Sequence, residues 1–187
     1  MDQQFIDFCL ACYDGHLEIV QWLLSVNPDI NISAENEYAF RCVCYRGHLE
    51  IARWLLSVNP NINISAETEY AFRWACSQGH LEIAQWLLSV NPNINISARD
   101  EWAFRSACEH KHLDVAQWLQ TLKPYLYVIN YNENKSYKSY HIRTKEEEQR
   151  LIQKMYASWL ASDNSPNKNN IIYQLPLDIS HIVISYI

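Results

Sequence analysis

Glycine is nearly missing from this sequence, since its 187 residues include only 3. Gly15, Gly47 and Gly79 stand at one point of a repeated pattern, so no glycine-rich loop is left to bind a phosphate. The sequence also lacks the ~18 successive apolar residues that a membrane span needs. Its beginning, MDQQFIDFCL, has no basic stretch and does not resemble a secretory signal. We therefore expect an intracellular protein, located in the cytoplasm.

Positive charge is also scarce, with 15 Lys and Arg against 21 Asp and Glu. The deficit lies in residues 1–122, which carry a net charge of -8, whereas residues 123–187 carry +2. An acidic body repels phosphate backbones, so we expect no nucleic-acid partner. No HExxH or nucleophile-elbow pattern is present, and we therefore expect no enzymatic activity and no cofactor.

Six cysteines are present, but their spacing argues against a metal site. Four of them recur at one constant spacing and so occupy one repeated position: Cys12, Cys44, Cys76 and Cys108. A small apolar side chain packed between repeats explains that position. The remaining short spacings are unequal and no His pair follows them, so we predict no zinc site.

Internal repetition is the strongest feature that the sequence does contain. The segments GHLEIVQWLLSVNP, GHLEIARWLLSVNP and GHLEIAQWLLSVNP begin at Gly15, Gly47 and Gly79, and KHLDVAQWLQTLKP begins at Lys111. Each 32-residue unit predicts two helices. The glycine ends the first helix in the left-handed conformation, and we expect Asn91 to end a second helix in the same way. One helix pair cannot bury its apolar face alone, so the units must stack.

The pattern G-H-L-E-I-[VA]-x-x-L-L resembles the ankyrin repeat family over residues 1 to about 128. The resemblance implies an all-α, ankyrin-type helical solenoid that binds a protein through its concave face. The family's T-P-L-H appears here as Tyr70-Ala71-Phe72-Arg73, the turn glycine is absent, and the unit is one residue shorter than the usual ~33. We therefore expect a shortened or reshaped finger between repeats, with the first helix extended back toward Ser65.

Four segments follow from these patterns. Residues 1–124 form an array of about four repeats, and residues 125–162 form a capping segment with a helix over 144–162, which the capping box of Thr144 and Glu147 begins. Residues 163–170 are a linker, and 171–187 are a C-terminal amphipathic helix. The Tyr-rich stretch after residue 124 predicts a short β-hairpin or a covering loop. Because the first helix pair starts almost at Met1, we expect a short member or a fragment of a longer array.

Side chains that vary while the scaffold repeats predict a binding surface on the concave face. Tyrosine, tryptophan and arginine are frequent anchors of protein interfaces. Neutral drift at exposed positions would produce the same variation, so both interpretations stay open. The predicted residues are Tyr13, Asp14, Tyr45, Arg46, Trp74, Ser77, Gln78, Glu109 and His110.

Three further sets recur once in each repeat and predict structural roles. A glutamate precedes an arginine by four positions in the first helices of the last three repeats, which predicts a stacked ladder of ion pairs. A tryptophan of each second helix predicts stacking between repeats, and a histidine after each turn predicts a role in that turn. The sets are Glu37, Glu69 and Glu101 with Arg41, Arg73 and Arg105; Trp22, Trp54, Trp86 and Trp118; and His16, His48, His80 and His112.

The ending LPLDISHIVISYI predicts a helix that begins near Pro176 and carries one apolar face. It resembles the opening of an F-box, and ankyrin repeats with such an end resemble viral ankyrin proteins, notably those of poxviruses. That resemblance implies recruitment of a Skp1-type adaptor of ubiquitin ligases. The alternative is a helix that packs back on the body of the chain. The matching residues are Leu175, Pro176, Asp178, Ile179, Val183, Tyr186 and Ile187.

Overall fold

The computed structural model describes residues 3–161, and the predictions for residues 163–187 lie outside this range. Over the described range the chain forms nine helices and one antiparallel β-hairpin, which confirms the predicted fold class. The elements are α1 Gln3–Asp14, α2 Leu17–Val26, α3 Ala34–Arg46, α4 Leu49–Val58, α5 Ala66–Ser77, α6 Leu81–Val90, α7 Ala98–Glu109, α8 Leu113–Leu122, β1 Tyr127–Tyr131, β2 Tyr137–Ile142 and α9 Lys145–Ala161.

Helices α1 to α8 form four pairs that stack side by side, with one continuous core between them. The predicted core cysteines are all fully buried, as is one phenylalanine in each first helix. The Trp rings of the third and fourth repeats contact the preceding repeat, as predicted: Trp86 lies 6.3 Å from Phe40, and Trp118 lies 6.2 Å from Phe72, between ring centroids. Trp22, in the first repeat, is 59% exposed. Burial of these large side chains against the preceding repeat is what joins one helix pair to the next.

Each glycine turn is fixed by a histidine of the following repeat. Gly47 has φ +89, and a Cβ built there would lie 2.7 Å from Cε1 of His80. The His80 ring also holds Nε2 3.0 Å from the carbonyl oxygen of Tyr45, where the Nε2–H tautomer donates a hydrogen bond. Burial lowers the pKa of His80, which favours this neutral form. His48, His80 and His112 therefore have a structural role in a turn, but in the turn of the preceding repeat and not in the one that they follow. Glycine is needed there both for φ and for space.

The finger between repeats is a left-handed turn made without glycine. Residues Glu67, Thr68 and Glu69 all have φ between 55° and 61°, and the equivalent residues of α3 and α7 do the same. The side chain of Arg73 holds this turn, because its Nε donates to the Thr68 carbonyl at 2.7 Å and its Nη2 to the Glu67 carbonyl at 3.2 Å. The finger is thus reshaped as expected, but the first helix becomes right-handed only after Glu69.

Two local predictions are wrong because the side chains form hydrogen bonds with distant parts of the chain instead. Glu69 Oε1 accepts a hydrogen bond from the backbone N–H of Asn95 at 3.3 Å, and in the described part of the chain the predicted Glu–Arg ladder does not form. Asn91 has φ -127, so it does not take the left-handed conformation. Its Nδ2 instead donates to the Ser65 hydroxyl at 3.2 Å.

The β-hairpin closes the C-terminal end of the stack. Tyr127 begins β1 and pairs with Ile142 of β2. It takes the place that Asn95 has in the repeat before it, and its hydroxyl donates to Glu101 Oε2, as the Asn95 N–H does to Glu69. Its ring is 1% exposed and stacks on Phe104 at 4.0 Å between centroids. The hairpin therefore supplies the bond and the apolar contact that a further repeat would have supplied.

Helix α9 begins with the predicted capping box. The Glu147 backbone N–H donates to Thr144 Oγ1 at 3.2 Å, and the Thr144 N–H donates to Glu147 Oε2 at 2.9 Å. The Thr144 backbone N–H holds the pKa of Glu147 below its usual range. Farther along this helix, Ile152 is buried.

Candidate partner-binding surface

The nine predicted binding residues lie on or at the ends of the first helices, α1, α3, α5 and α7. These helices pack closely from one repeat to the next, whereas the second helices make fewer contacts with one another, so the stack curves toward the first-helix side. Eight of the nine side chains are exposed or half-buried on this concave face. Ser77 is the exception, because it is 1% exposed and its hydroxyl accepts a hydrogen bond from Ser106 at 2.6 Å. Ser77 cannot contact a partner in this arrangement.

Aromatic rings from four repeats form a continuous row, which we name the aromatic track: Tyr13, Tyr45, Trp74 and Trp102. The ring centroids of successive members lie 6.5, 5.4 and 5.0 Å apart. From Tyr45 onward, each ring stands about one helical turn nearer the N-terminus of its helix than the ring in the repeat before it. The row therefore crosses the concave face diagonally. Trp102 was missed in the sequence, although the recurrence of an aromatic side chain at positions 38, 70 and 102 was a usable signal.

Three arginines lie over the rings of this surface. The guanidinium carbon of Arg46 is 4.6 Å from the ring centroid of Tyr13, and that of Arg73 is 5.2 Å from Trp102. Arg41 lies 4.8 Å from the ring of Tyr70. Cation–π contacts of this kind hold the guanidinium planes against the concave face. Arg41 was missed as a surface residue because its spacing from Glu37 was explained by an ion pair, whereas Arg73 is 6% exposed and lies beneath the surface.

A pocket opens beside the aromatic track, between the first helices of repeats one to three. Its volume is about 140 Å³, and a larger apolar hollow of about 460 Å³ adjoins it toward α1. Burial raises the pKa of the Cys42 thiol, so this side chain is a neutral wall of the pocket and is not an activated nucleophile. The pocket is lined by Tyr13, Tyr38, Arg41, Cys42, Tyr45 and Tyr70.

The predicted residues near the C-terminal end belong to a different neighbourhood. Glu109 accepts a hydrogen bond from the Tyr140 hydroxyl at 2.9 Å, so it is engaged with the hairpin. His110 Nδ1 lies 2.9 Å from the carbonyl oxygen of Ser106 in its own helix. The structure therefore brings Tyr13, Tyr45 and Trp74 together and leaves these two residues outside the aromatic track.

Metal binding and membrane insertion find no support within residues 3–161. There, no group of three or more His, Cys, Asp or Glu side chains is arranged to hold a metal ion. All six cysteines are free thiols. In the same part of the chain, no helix combines the length and the apolar character that crossing a membrane requires.

The stacked pairs and the concave aromatic surface define a helical solenoid of the kind that mediates protein–protein interaction, and the fold is that of ankyrin repeats. Residues 8–100 match the family model for ankyrin repeats, in three copies. Among solved structures, the chain is similar to an ankyrin repeat family protein from Legionella pneumophila, with 29% identity and a TM-score of 0.58. That match covers 63% of this chain and 36% of the other, so the chain corresponds to about a third of that protein's length. No curated protein matches it.

Proposed function

We propose that this chain is a non-catalytic binding module that holds a protein partner on the concave face of its repeats. The observation that carries the proposal is the aromatic track with its arginines. Tyr45 and Trp74 are only half-buried although both are large and rigid, and such side chains dominate the energetics of protein interfaces.

Neutral drift explains this surface less well than binding does. Independent changes at exposed positions do not require the new side chains to touch one another. Here the rings of Tyr45 and Trp74 come from different registers of neighbouring repeats, and they lie 5.4 Å apart in an edge-on contact. Arg46 extends the same surface over Tyr13. A surface built jointly by several repeats is what partner recognition by a solenoid needs.

We predict that the double variant Tyr45→Ala and Trp74→Ala loses its partners. Each change removes an anchor of the kind that is worth roughly 2 kcal/mol or more in an interface, about a 30-fold loss of affinity. The measurement is affinity capture followed by mass spectrometry, with proteins scored by their loss from the variant. The matched control is Arg53→Ala with Gln85→Ala, two exposed side chains of the second helices.

Circular dichroism melts must first show that both double variants fold. Proteins retained by the control and lost from the aromatic variant identify concave-face partners. Equal capture by the aromatic variant and the wild type would contradict binding through this surface.

The second candidate is a substrate adaptor that recruits a Skp1-type ubiquitin ligase component through the C-terminal residues. The observation that favours it is the F-box-like spacing, with matches at Leu175, Pro176, Ile179 and Val183 among others. In this role the repeats select the target and the C-terminal residues deliver it to the ligase. The role requires the chain and the adaptor to share a compartment, and we propose the cytoplasm. The resemblance to viral ankyrin proteins stays a prediction.

We predict that purified Skp1 binds the full chain and not its Val183→Asp variant, because a charge at a matched apolar position opposes burial in an adaptor groove. The matched control is Ser185→Asp, which adds the same charge at a position outside the F-box-like pattern. The measurement is a pull-down with the three full-length chains, supplemented by a chain ending at Asn170. The adaptor role would be ruled out if no chain recovered Skp1. It would also be ruled out if the chains with and without residues 171–187 recovered equal amounts of Skp1.

A further inference from the structure

We infer that the segment bound on the concave face is an acidic peptide in an extended conformation, with one of its carboxylates placed beside Arg41. The inference rests on the proposed concave-face binding and adds the chemical class of the partner. Charge, hydrogen bonding and the dimensions of the aromatic track support it separately.

The first support is positive charge that the chain does not neutralise. In the described residues, Arg41 and Arg46 form no ion pair, whereas Arg105, the fourth-repeat equivalent of Arg41, lies 3.2 Å from Asp100. Arg73 is 6% exposed and donates to two backbone carbonyls, so it does not contribute to this charge. Among the predicted surface residues of the first three repeats, Asp14 is the only acidic one. The concave face is thus locally basic in a chain of net charge -6, which attracts an acidic partner.

The acidic residues of the second helices are placed elsewhere. One carboxylate stands in the first turn of every second helix, where it is exposed and favours the helix dipole. Glu37 and Glu69, near the start of the first helices, are buried and accept hydrogen bonds from the backbone N–H groups of Asn63 and Asn95. These carboxylates therefore leave Arg41 and Arg46 available to a ligand. The second-helix acids are Glu18, Glu50, Glu82 and Asp114.

The second support is the incomplete hydrogen bonding of Arg41. Its Nη2 donates to the Glu35 carbonyl at 3.0 Å, but its buried Nε has no partner. The equivalent Arg73 makes both bonds, through Nε and Nη2. Arg41 also lines the 140 Å³ pocket, with its guanidinium 4.8 Å from the centroid of Tyr70. A carboxylate is the group that a guanidinium lining such a pocket binds most strongly, because the hydrogen bond is charge-assisted.

The third support is the geometry of the aromatic track. Its three ring-to-ring distances place Tyr13 and Trp102 within roughly 17 Å of each other, which about five residues of extended chain would span. In an extended peptide, side chains on one face recur every ~6.6 Å. That period is close to the 6.5 Å between Tyr13 and Tyr45. Alternate apolar side chains can therefore contact Tyr13 and Tyr45 while a neighbouring carboxylate reaches Arg41.

A single-stranded nucleic acid is the competing ligand for aromatic rings flanked by arginine. The ring arrangement does not favour it. The ring planes of Tyr45 and Trp74 meet at 71°, and those of Trp74 and Trp102 meet at 56°. Rings inclined in this way do not present parallel faces on which successive bases could stack. The repeats also carry a net charge of -8 over residues 1–122, which opposes a phosphate backbone.

The test is selection of random 12-residue peptides, displayed on phage, against the full chain. We expect the enriched peptides to contain Asp or Glu beside alternating apolar residues. Synthetic copies, measured by fluorescence polarisation, should bind Arg41→Gln at least tenfold more weakly than the wild type. Arg105→Gln is the matched control, because it has the same register and lies outside the pocket, and it should change affinity less than twofold. Higher salt should weaken binding to the wild type.

Four outcomes would overturn the inference. Enriched peptides without acidic residues, or no enrichment at all, would refute the acidic extended ligand. Either result would still be compatible with a concave face that binds a folded protein. Acidic peptides that bind the Tyr45→Ala and Trp74→Ala variant unchanged would place the peptide site elsewhere. Tighter binding of a ten-residue oligothymidylate than of any peptide would assign the surface to nucleic acid. The capture experiment above tests the proposed function separately.

Discussion

Replacing Tyr127 with alanine is expected to lower the free energy of unfolding by roughly 3–5 kcal/mol, the range for removing a large buried aromatic side chain. The ring is 1% exposed and lies parallel to that of Phe104, with an interplanar angle of 5°. Its hydroxyl also donates a hydrogen bond to Glu101, which would lose this partner. The measurement is urea denaturation followed by circular dichroism.

The location of the damage distinguishes a cap from an ordinary core residue. Hydrogen exchange should accelerate in α7 and α8, which the hairpin contacts, and change little in α3 and α4. Tyr127→Phe keeps the ring and removes only the hydroxyl, so it should cost about 1–2 kcal/mol. Tyr131→Ala changes an exposed tyrosine of the same strand and should cost less than either. Equal losses for Tyr127→Ala and Tyr131→Ala would show that the hairpin does not cap the stack in this way.

Replacing Gly79 with alanine is expected to lower the free energy of unfolding by roughly 2–5 kcal/mol, because two costs combine. The residue has φ +78, and a Cβ would lie 2.4 Å from Nδ1 of His112. A left-handed residue other than glycine costs about 1–2 kcal/mol, and overpacking costs about 1–3 kcal/mol. Thermal and urea denaturation of the variant measure the sum.

The fourth repeat supplies the control for this prediction. Lys111 occupies the glycine position there with φ +63, and it has no histidine of a following repeat over it. Lys111→Ala should therefore be nearly neutral, and Lys111→Gly should stabilise the chain by up to about 1 kcal/mol. Combining Gly79→Ala with His112→Ala should recover part of the loss by removing the clash. If the double variant loses as much stability as Gly79→Ala alone, the whole loss comes from the backbone conformation of residue 79.

Features that repeat, or that depend on neighbours in the chain, could be predicted from the sequence. The regular period of the repeat placed Cys76 in the core, and the glycine before each His-Leu motif predicted a left-handed turn that the structure confirms. The T-x-x-E pattern at Thr144 predicted the start of α9, because a capping box joins residues only three positions apart.

Features that depend on contact between repeats could not be predicted in this way. Glu69 stands four residues before Arg73, and on an isolated helix the two would pair. In the stack, the backbone N–H of Asn95 donates a hydrogen bond to Glu69. Arg73 instead donates to the carbonyls of the left-handed turn. Ser77 was predicted to face a partner, but Ser106 of the next repeat covers it.

The repeat architecture and its turns were thus determined by the sequence itself, because helix periodicity and glycine geometry act within a single unit. The candidate binding surface was decided by the tertiary structure. Tyr13 and Tyr45 share one position of the repeat, but Trp74 stands earlier in its own repeat and Trp102 earlier still, so no single repeat position contains the row. The rings meet only because neighbouring first helices pack side by side, which brings side chains one helical turn apart on adjacent repeats within reach of each other.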